Sequence, residues 1–207
     1  MKESAMSKSR KIGRRAACAT VLGIGGGLLL SGGASAAPRA GRRGAVVAVL
    51  NNADFYDAQE KFKPEAAKEA YLQFLEAARY PISPRLRKEM WMSDFGLGRF
   101  TEVGSGGMFW VNNQQDNYAS LEIFLLPGQM IPEHWHVPLP AQNVPVKMES
   151  WHVRWGSTCT YGEGEPTAKL AVKIPECQQP FVTVRHEKVL TLGEVTGLTR
   201  HEQKHWQ

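Results

Sequence analysis

Two histidines separated by a single residue, His134 and His136, carry the clearest chemistry in the sequence. In extended backbone the side-chain period is two, so both imidazoles point to one face and Trp135 to the other. Two imidazoles on one face can share one metal ion. Thirteen residues after His136 comes Glu149, which heads a strand-like run ending at Gly156. The same alternation groups Glu149 with Trp151, Val153 and Trp155. A carboxylate on an otherwise apolar face is costly to bury unless a cation meets it. A metal held by His134 and His136 would be that cation. His205, near the C-terminus, offers a fourth ligand. His201 is its substitute in a poorer context, while His152 faces away from Glu149 and His186 stands outside the pattern. A bare His-X-His pair is more often structural than metal-binding. The Pro127-Gly128 turn ahead of it and the Glu149 run behind it shift that balance. Three imidazoles and one carboxylate leave room for water or substrate, the donor set of an open catalytic site.

Positioning these groups requires strands. From Phe100 onward, short apolar runs separated by Gly and Pro predict strands at 108–112, 121–126, 134–137, 149–155, 168–174 and 181–192. Upstream, Phe62, Ala66, Ala70 and Phe74 recur at four-residue steps, widened by Tyr71, Leu75 and Ala78. This periodicity predicts a helix over 54–78, capped by Asp54 or Asp57 and ended by Pro81 and Pro84, with a short second helix from Pro84 to Met90. The fold class expected is mainly β: a small barrel at 100–207 preceded by a helical segment at 54–99.

At this point the residues resemble a known pattern. Gly128, five residues, His134-X-His136, a later Glu149, six residues and Gly156 resemble the first motif of the cupin superfamily, whose fold is a jelly-roll β-barrel. Most cupins have only a few residues between the His pair and the Glu. Here a longer gap ends in Lys147-Met148-Glu149, which is similar to the D-lyxose isomerase family. The run from Leu190 to His205-Trp206 resembles the second cupin motif, without its usual Pro-X-Gly. The resemblance covers about residues 120–207.

That resemblance implies a metal-dependent aldose–ketose isomerase working through an enediol. His134, His136, Glu149 and His205 would hold a divalent ion, Mn²⁺ first, with Zn²⁺, Fe²⁺ or Co²⁺ as alternatives. Lys147 would be the polarising or proton-transfer group, sharing a face with Glu149. Trp151 and Trp155 would face inward, where an indole can pack against a sugar. The partner is then a small sugar, and the helix before the barrel is a candidate homodimer surface. Two other classes stay open: an Fe(II) oxygenase cupin, and a non-catalytic carbohydrate-binding cupin. Gln207 follows His205 by two residues, so the barrel is expected to lack its last strands and a carboxylate that would assist catalysis.

The first 36 residues read as an export signal. Lys8, Arg10, Lys11, Arg14 and Arg15 form a basic start, residues 16–30 are apolar but rich in Gly and Ala, and Ala34-Ser35-Ala36 is a small-residue cleavage site. The Arg14-Arg15 pair resembles a twin-arginine signal, which implies export as a folded protein, with residues 37–53 as a linker. Cleavage would leave no stable membrane insertion. The signal also accounts for the whole net charge of +5. The remainder is neutral, so the basic balance does not argue for nucleic acid. Cys159 and Cys177 remain after cleavage, as one disulfide or two separate thiols.

Overall fold

The computed structural model describes residues 50–138, 140 and 146–207. The expected export signal and residues 37–49 of the linker lie outside the described residues. Among the described residues the chain is mainly β with two α-helices, and its sheets are antiparallel and not closed, an arrangement with which a jelly-roll is compatible.

A 3₁₀ turn (Asn52–Phe55) leads to α1 (Pro64–Ala77), ten residues later than the periodicity predicts. The reason is local. Asp57 does not cap a helix; its Oδ1 accepts the N–H groups of Gln59 and Lys61, both at 2.9 Å. A side chain that satisfies nearby backbone in a turn competes with helix formation. Pro64, which has no N–H to lose, then starts the helix at its first position. The buried stripe is Ala67, Tyr71, Leu72 and Leu75, with the four-step row of Phe62, Ala66, Ala70 and Phe74 half-buried beside it. The second helix, α2 (Pro84–Glu89), forms as expected, with Ser83 Oγ accepting the Leu86 N–H at 3.0 Å. Both helices pack with Phe100 and Met108 into one apolar cluster.

Strands β1 (Trp91–Ser93), β2 (Ser105–Asn113) and β3 (Tyr118–Phe124) form one antiparallel sheet in that order. Strand β4 (Ser150–His152) pairs with β7 (Val195–Gly197) as a ribbon. Strand β5 (Ser157–Gly162) lies between β6 (His186–Thr191) and β8 (His205–Trp206). The sheet carrying β5 has two distinct faces. On one, Cys159, Tyr161, Val189 and Trp206 join Met130, Ile174 and Val182 in a second apolar cluster, with Tyr161 and Trp206 stacked at 3.6 Å and 10°. By alternation, Thr160, Gly162, Lys188 and His205 belong to the other face.

Several expected strands are absent or shorter. Residues 134–137 make only an isolated bridge, His134 to His205. The run at 149–155 contracts to β4. Residues 168–174 form no strand, and the run at 181–192 starts only at His186. Carboxylates explain two of these losses. Glu133 takes the N–H groups of Thr183 and Val184, and Glu187 takes that of Ala171. A backbone donor committed to a side chain cannot join a ladder. Strands β1, β5, β7 and β8 are unanticipated from the sequence; β5 takes the centre of its sheet and the other three lie at edges. Cys159 and Cys177 are both thiols, not a disulfide.

Candidate metal centre

His134, His136, Glu149 and His205 converge, each offering a ligand atom within 4.8 Å of the others. The means of convergence is the bridge between the two distant segments. His134 N–H donates to His205 O at 2.9 Å and His205 N–H to His134 O at 3.0 Å. The rings of His134 and His205 lie 4.1 Å apart between centroids, and that of His136 lies 5.2 and 5.4 Å from them. Glu149 Oε2 sits 3.2 Å from His136 Nε2 and 3.6 Å from His205 Nε2.

The tautomers are set by backbone. The Nδ1 atoms of His134 and His205 lie 2.9 Å from the carbonyls of Pro132 and Gln203. A carbonyl only accepts, so each Nδ1 carries its proton and each Nε2 presents a lone pair. The Nε2 atoms of His136 and His205 are buried without a hydrogen-bond partner. Buried polar atoms are rarely left so, and a divalent cation would satisfy both together with the carboxylate. Burial lowers the pKa of His134 and of His136, with the neighbouring imidazoles adding to the effect. Burial alone would raise Glu149, but His205 and Lys147 against the carboxylate hold it below the usual carboxylate range. Neutral imidazoles and an ionised carboxylate are the protonation states that coordination requires. The donor set therefore fits a divalent metal.

Lys147 Nζ lies 2.6 Å from Glu149 Oε1, on the carboxylate oxygen opposite the one facing the imidazoles. An ammonium has no lone pair, so this lysine stands beside the four donors and not among them. Trp151 stacks on the His205 ring at 5.7 Å and 23°. Trp155, expected to face inward, does not: β4 ends at His152, the alternation stops there, and Trp155 is 49% exposed. His152 and His201 are exposed and outside the cluster, and His186 Nδ1 lies 3.0 Å from Glu165 O.

One contributor gave no sequence signal. Glu133, next to His134, has a side chain only 5% exposed. It accepts from Thr183 N–H at 2.5 Å and from Val184 N–H at 3.0 Å. Trp206, next to His205, donates its indole N–H to Val184 O at 2.7 Å. The neighbours of two donor histidines thus grip the same residue from its two sides. Glu133 and Thr183 are 50 positions apart, so no local pattern could reveal the pairing.

No protein-family profile matches the chain. Curated relatives do. A D-lyxose ketol-isomerase of Cohnella laeviribosi is 34% identical over 140 residues, 68% of this chain and 74% of that protein. The chain belongs to the D-lyxose ketol-isomerase family. A D-lyxose ketol-isomerase of Thermofilum sp. is 34% identical over 62% of this chain and 69% of its own length. A D-lyxose/D-mannose isomerase of Thermosediminibacter oceani is 33% identical over 65% of this chain and 72% of its own.

The pKa directions give this member of the D-lyxose ketol-isomerase family a defined acid response. His134 and His136 have folded pKa values below the ordinary 6.5. As pH falls through that value the unfolded chain takes up protons first, which favours unfolding. Glu149, ionised more readily in the folded state, contributes stability above the ordinary carboxylate range that is lost as pH falls further. Both effects have the same sign. Metal-free protein should melt at lower temperature at pH 5 than at pH 7.5, and His134→Gln should reduce the difference. An equal pH dependence in the variant would show that His134 does not contribute.

Proposed function

We propose that this chain is a divalent-metal-dependent sugar isomerase that interconverts an aldose of the D-lyxose type with its ketose. The observation that carries the reading is the four-donor cluster with two orphaned imidazole nitrogens, in a chain of this family. His134, His136, Glu149 and His205 would hold the ion, for which Mn²⁺ is the first candidate. When bound, the cation supplies Lewis-acid stabilisation of the negative charge that develops on the sugar oxygens as the proton moves between adjacent carbons through an enediol.

The chain's own residues do the rest. The carbonyls of Pro132 and Gln203 fix two imidazoles in the donor tautomer. Lys147, half exposed and ion-paired to Glu149, can hold or pass a proton at a sugar oxygen that comes beside the carboxylate. Trp151 packs over His205 and keeps water from one side of the ring. Trp155, although exposed, stays a candidate for stacking on a sugar at the outer surface.

The test is conversion of D-lyxose, D-mannose and other common aldoses to ketoses by chelator-treated protein to which Mn²⁺ is returned. Ketose should form only with the metal present and at the same rate without oxygen. Stoichiometric metal binding with no turnover of any aldose would overturn the isomerase reading. Oxygen consumption coupled to turnover would place the chain among Fe(II) oxygenases instead.

A further inference from the structure

The segment that carries His134 departs from a regular ladder. Ile131 and Gln207 exchange backbone hydrogen bonds at 2.8 and 3.3 Å, and His134 and His205 exchange a second pair at 2.9 and 3.0 Å. From Ile131 to His134 is three steps; from Gln207 back to His205 is two. The first segment therefore holds one residue more than its partner, a β-bulge at Pro132-Glu133. Pro132 has no N–H to leave unpaired there, and its carbonyl is turned onto His134 Nδ1 at 2.9 Å. The bulge thus sets the tautomer of a metal donor.

The bulge is held by its own side chain. Glu133 Oε2 accepts the N–H groups of both Thr183 and Val184, and Oε1 accepts the Thr183 hydroxyl. On the partner segment, Trp206 donates its indole N–H to Val184 O and stacks on Tyr161. Both sides of the bridge are therefore tied to one dipeptide, Thr183-Val184, which fixes where they sit relative to each other. Charge has a small part in this anchor. Lys204 Nζ stands 3.9 Å from Glu133 Oε1 and 5.2 Å from the Trp135 ring, and its side chain is partly exposed. Two backbone N–H groups on one oxygen demand a side chain of the right length instead.

On the reading of His134, His136, Glu149 and His205 as a divalent-metal centre, we infer that Glu133 is a positioning residue: through Thr183 and Val184 it holds the bulge that presents His134 Nε2 to the other donors. It stands outside the donor set and acts only through its neighbour. Without it, the extra residue is free to shift and the Pro132 carbonyl to leave Nδ1. His134 then samples the neutral tautomer whose Nε2 carries the proton, and that form has no lone pair to offer there. Reach, not charge, is the property that Glu133 supplies.

The experiment combines Mn²⁺ affinity, by competition with a chelator, and nitrogen NMR of the His134 ring in metal-free protein at alkaline pH, where imidazoles are neutral. Glu133→Ala should bind Mn²⁺ about 10–100-fold more weakly, the usual cost of losing an outer partner of a ligand. Its His134 should show both neutral tautomers, where wild type shows the Nδ1–H form. Glu133→Gln keeps the length and a carbonyl oxygen for the two N–H groups, so it should match wild type in both readouts. Glu133→Asp keeps the charge but is one methylene short, and should resemble Glu133→Ala. These two conservative variants decide the matter even if Glu133→Ala does not fold. The inference is overturned if affinity and tautomer stay at wild-type values in Glu133→Asp, whether or not that variant melts earlier, or if Glu133→Gln loses both. A wild-type His134 in the Nε2–H form would also overturn it. Metal binding that depends on Glu133 without ketose formation would refute the isomerase reading and leave the positioning role standing. Ketose formation with unaltered affinity in Glu133→Asp would do the reverse, and a wild type that takes up no divalent ion would refute both.

Discussion

His134→Ala should deprive the protein of its metal and, with it, of all isomerisation. His134 is joined to His205 through both backbone hydrogen bonds of one bridge, and its ring lies 4.1 Å from that of His205 and 5.2 Å from that of His136. Its backbone contacts survive the substitution, because they need no side chain. What disappears is one of four converging donors. Loss of an outer partner of a metal ligand already costs about 10–100-fold in affinity, so loss of the ligand itself should cost more than about 100-fold. Without the cation, Glu149 is left part-buried against neutral imidazoles, which adds to the penalty. Metal analysis of purified protein after gel filtration gives the result directly, and circular dichroism checks that the fold remains. Retention of one equivalent of Mn²⁺ by the variant would exclude His134 as a ligand.

The second large effect is of the opposite kind. Lys147→Ala should keep the metal and lose turnover. Lys147 touches the oxygen of Glu149 that faces away from the imidazoles, so its removal leaves all four donors in place. Its loss should lower the isomerisation rate by about 10²–10⁴, the usual contribution of a positioned acid or base. Metal affinity should change little by comparison, because Glu149 still faces His205 and His136 and all four donors remain in place. Parallel metal analysis and initial-rate measurement separate the two quantities. If metal content falls together with the rate, Lys147 acts only by orienting Glu149. If the rate is unchanged, it has no part in proton transfer.

Short-range pattern determined much of the site. A period of two places His134 and His136 together with Trp135 outside, and Trp135 is indeed 49% exposed. It also sets Lys147 beside Glu149 and Trp151 on the same side of β4. These relations need only a locally extended chain, which Val, Trp and Met side chains at these positions favour. Likewise Pro64 and Ser83 state where helices begin, because the missing N–H of one and the hydroxyl of the other act on their nearest neighbours.

Tertiary structure decided the rest. His205 joins the cluster, and His201, four residues earlier, stays exposed. The motif context favours His205, but only the bridge to the His134 backbone brings it to the cluster. Strand membership is decided in the same way. Residues 168–174 and 181–185 have strand-like composition, yet their donors go to Glu187 and Glu133. Trp155 lost its inward direction because pairing ends at Val153, which bonds to Glu194 O and Gly193 N–H, where the partner chain turns back to Thr191. Local composition sets what a segment can do with its own side chains. Whether its backbone pairs, and with what, depends on donors and acceptors delivered from tens of residues away, and those contacts become visible only when the chain is folded.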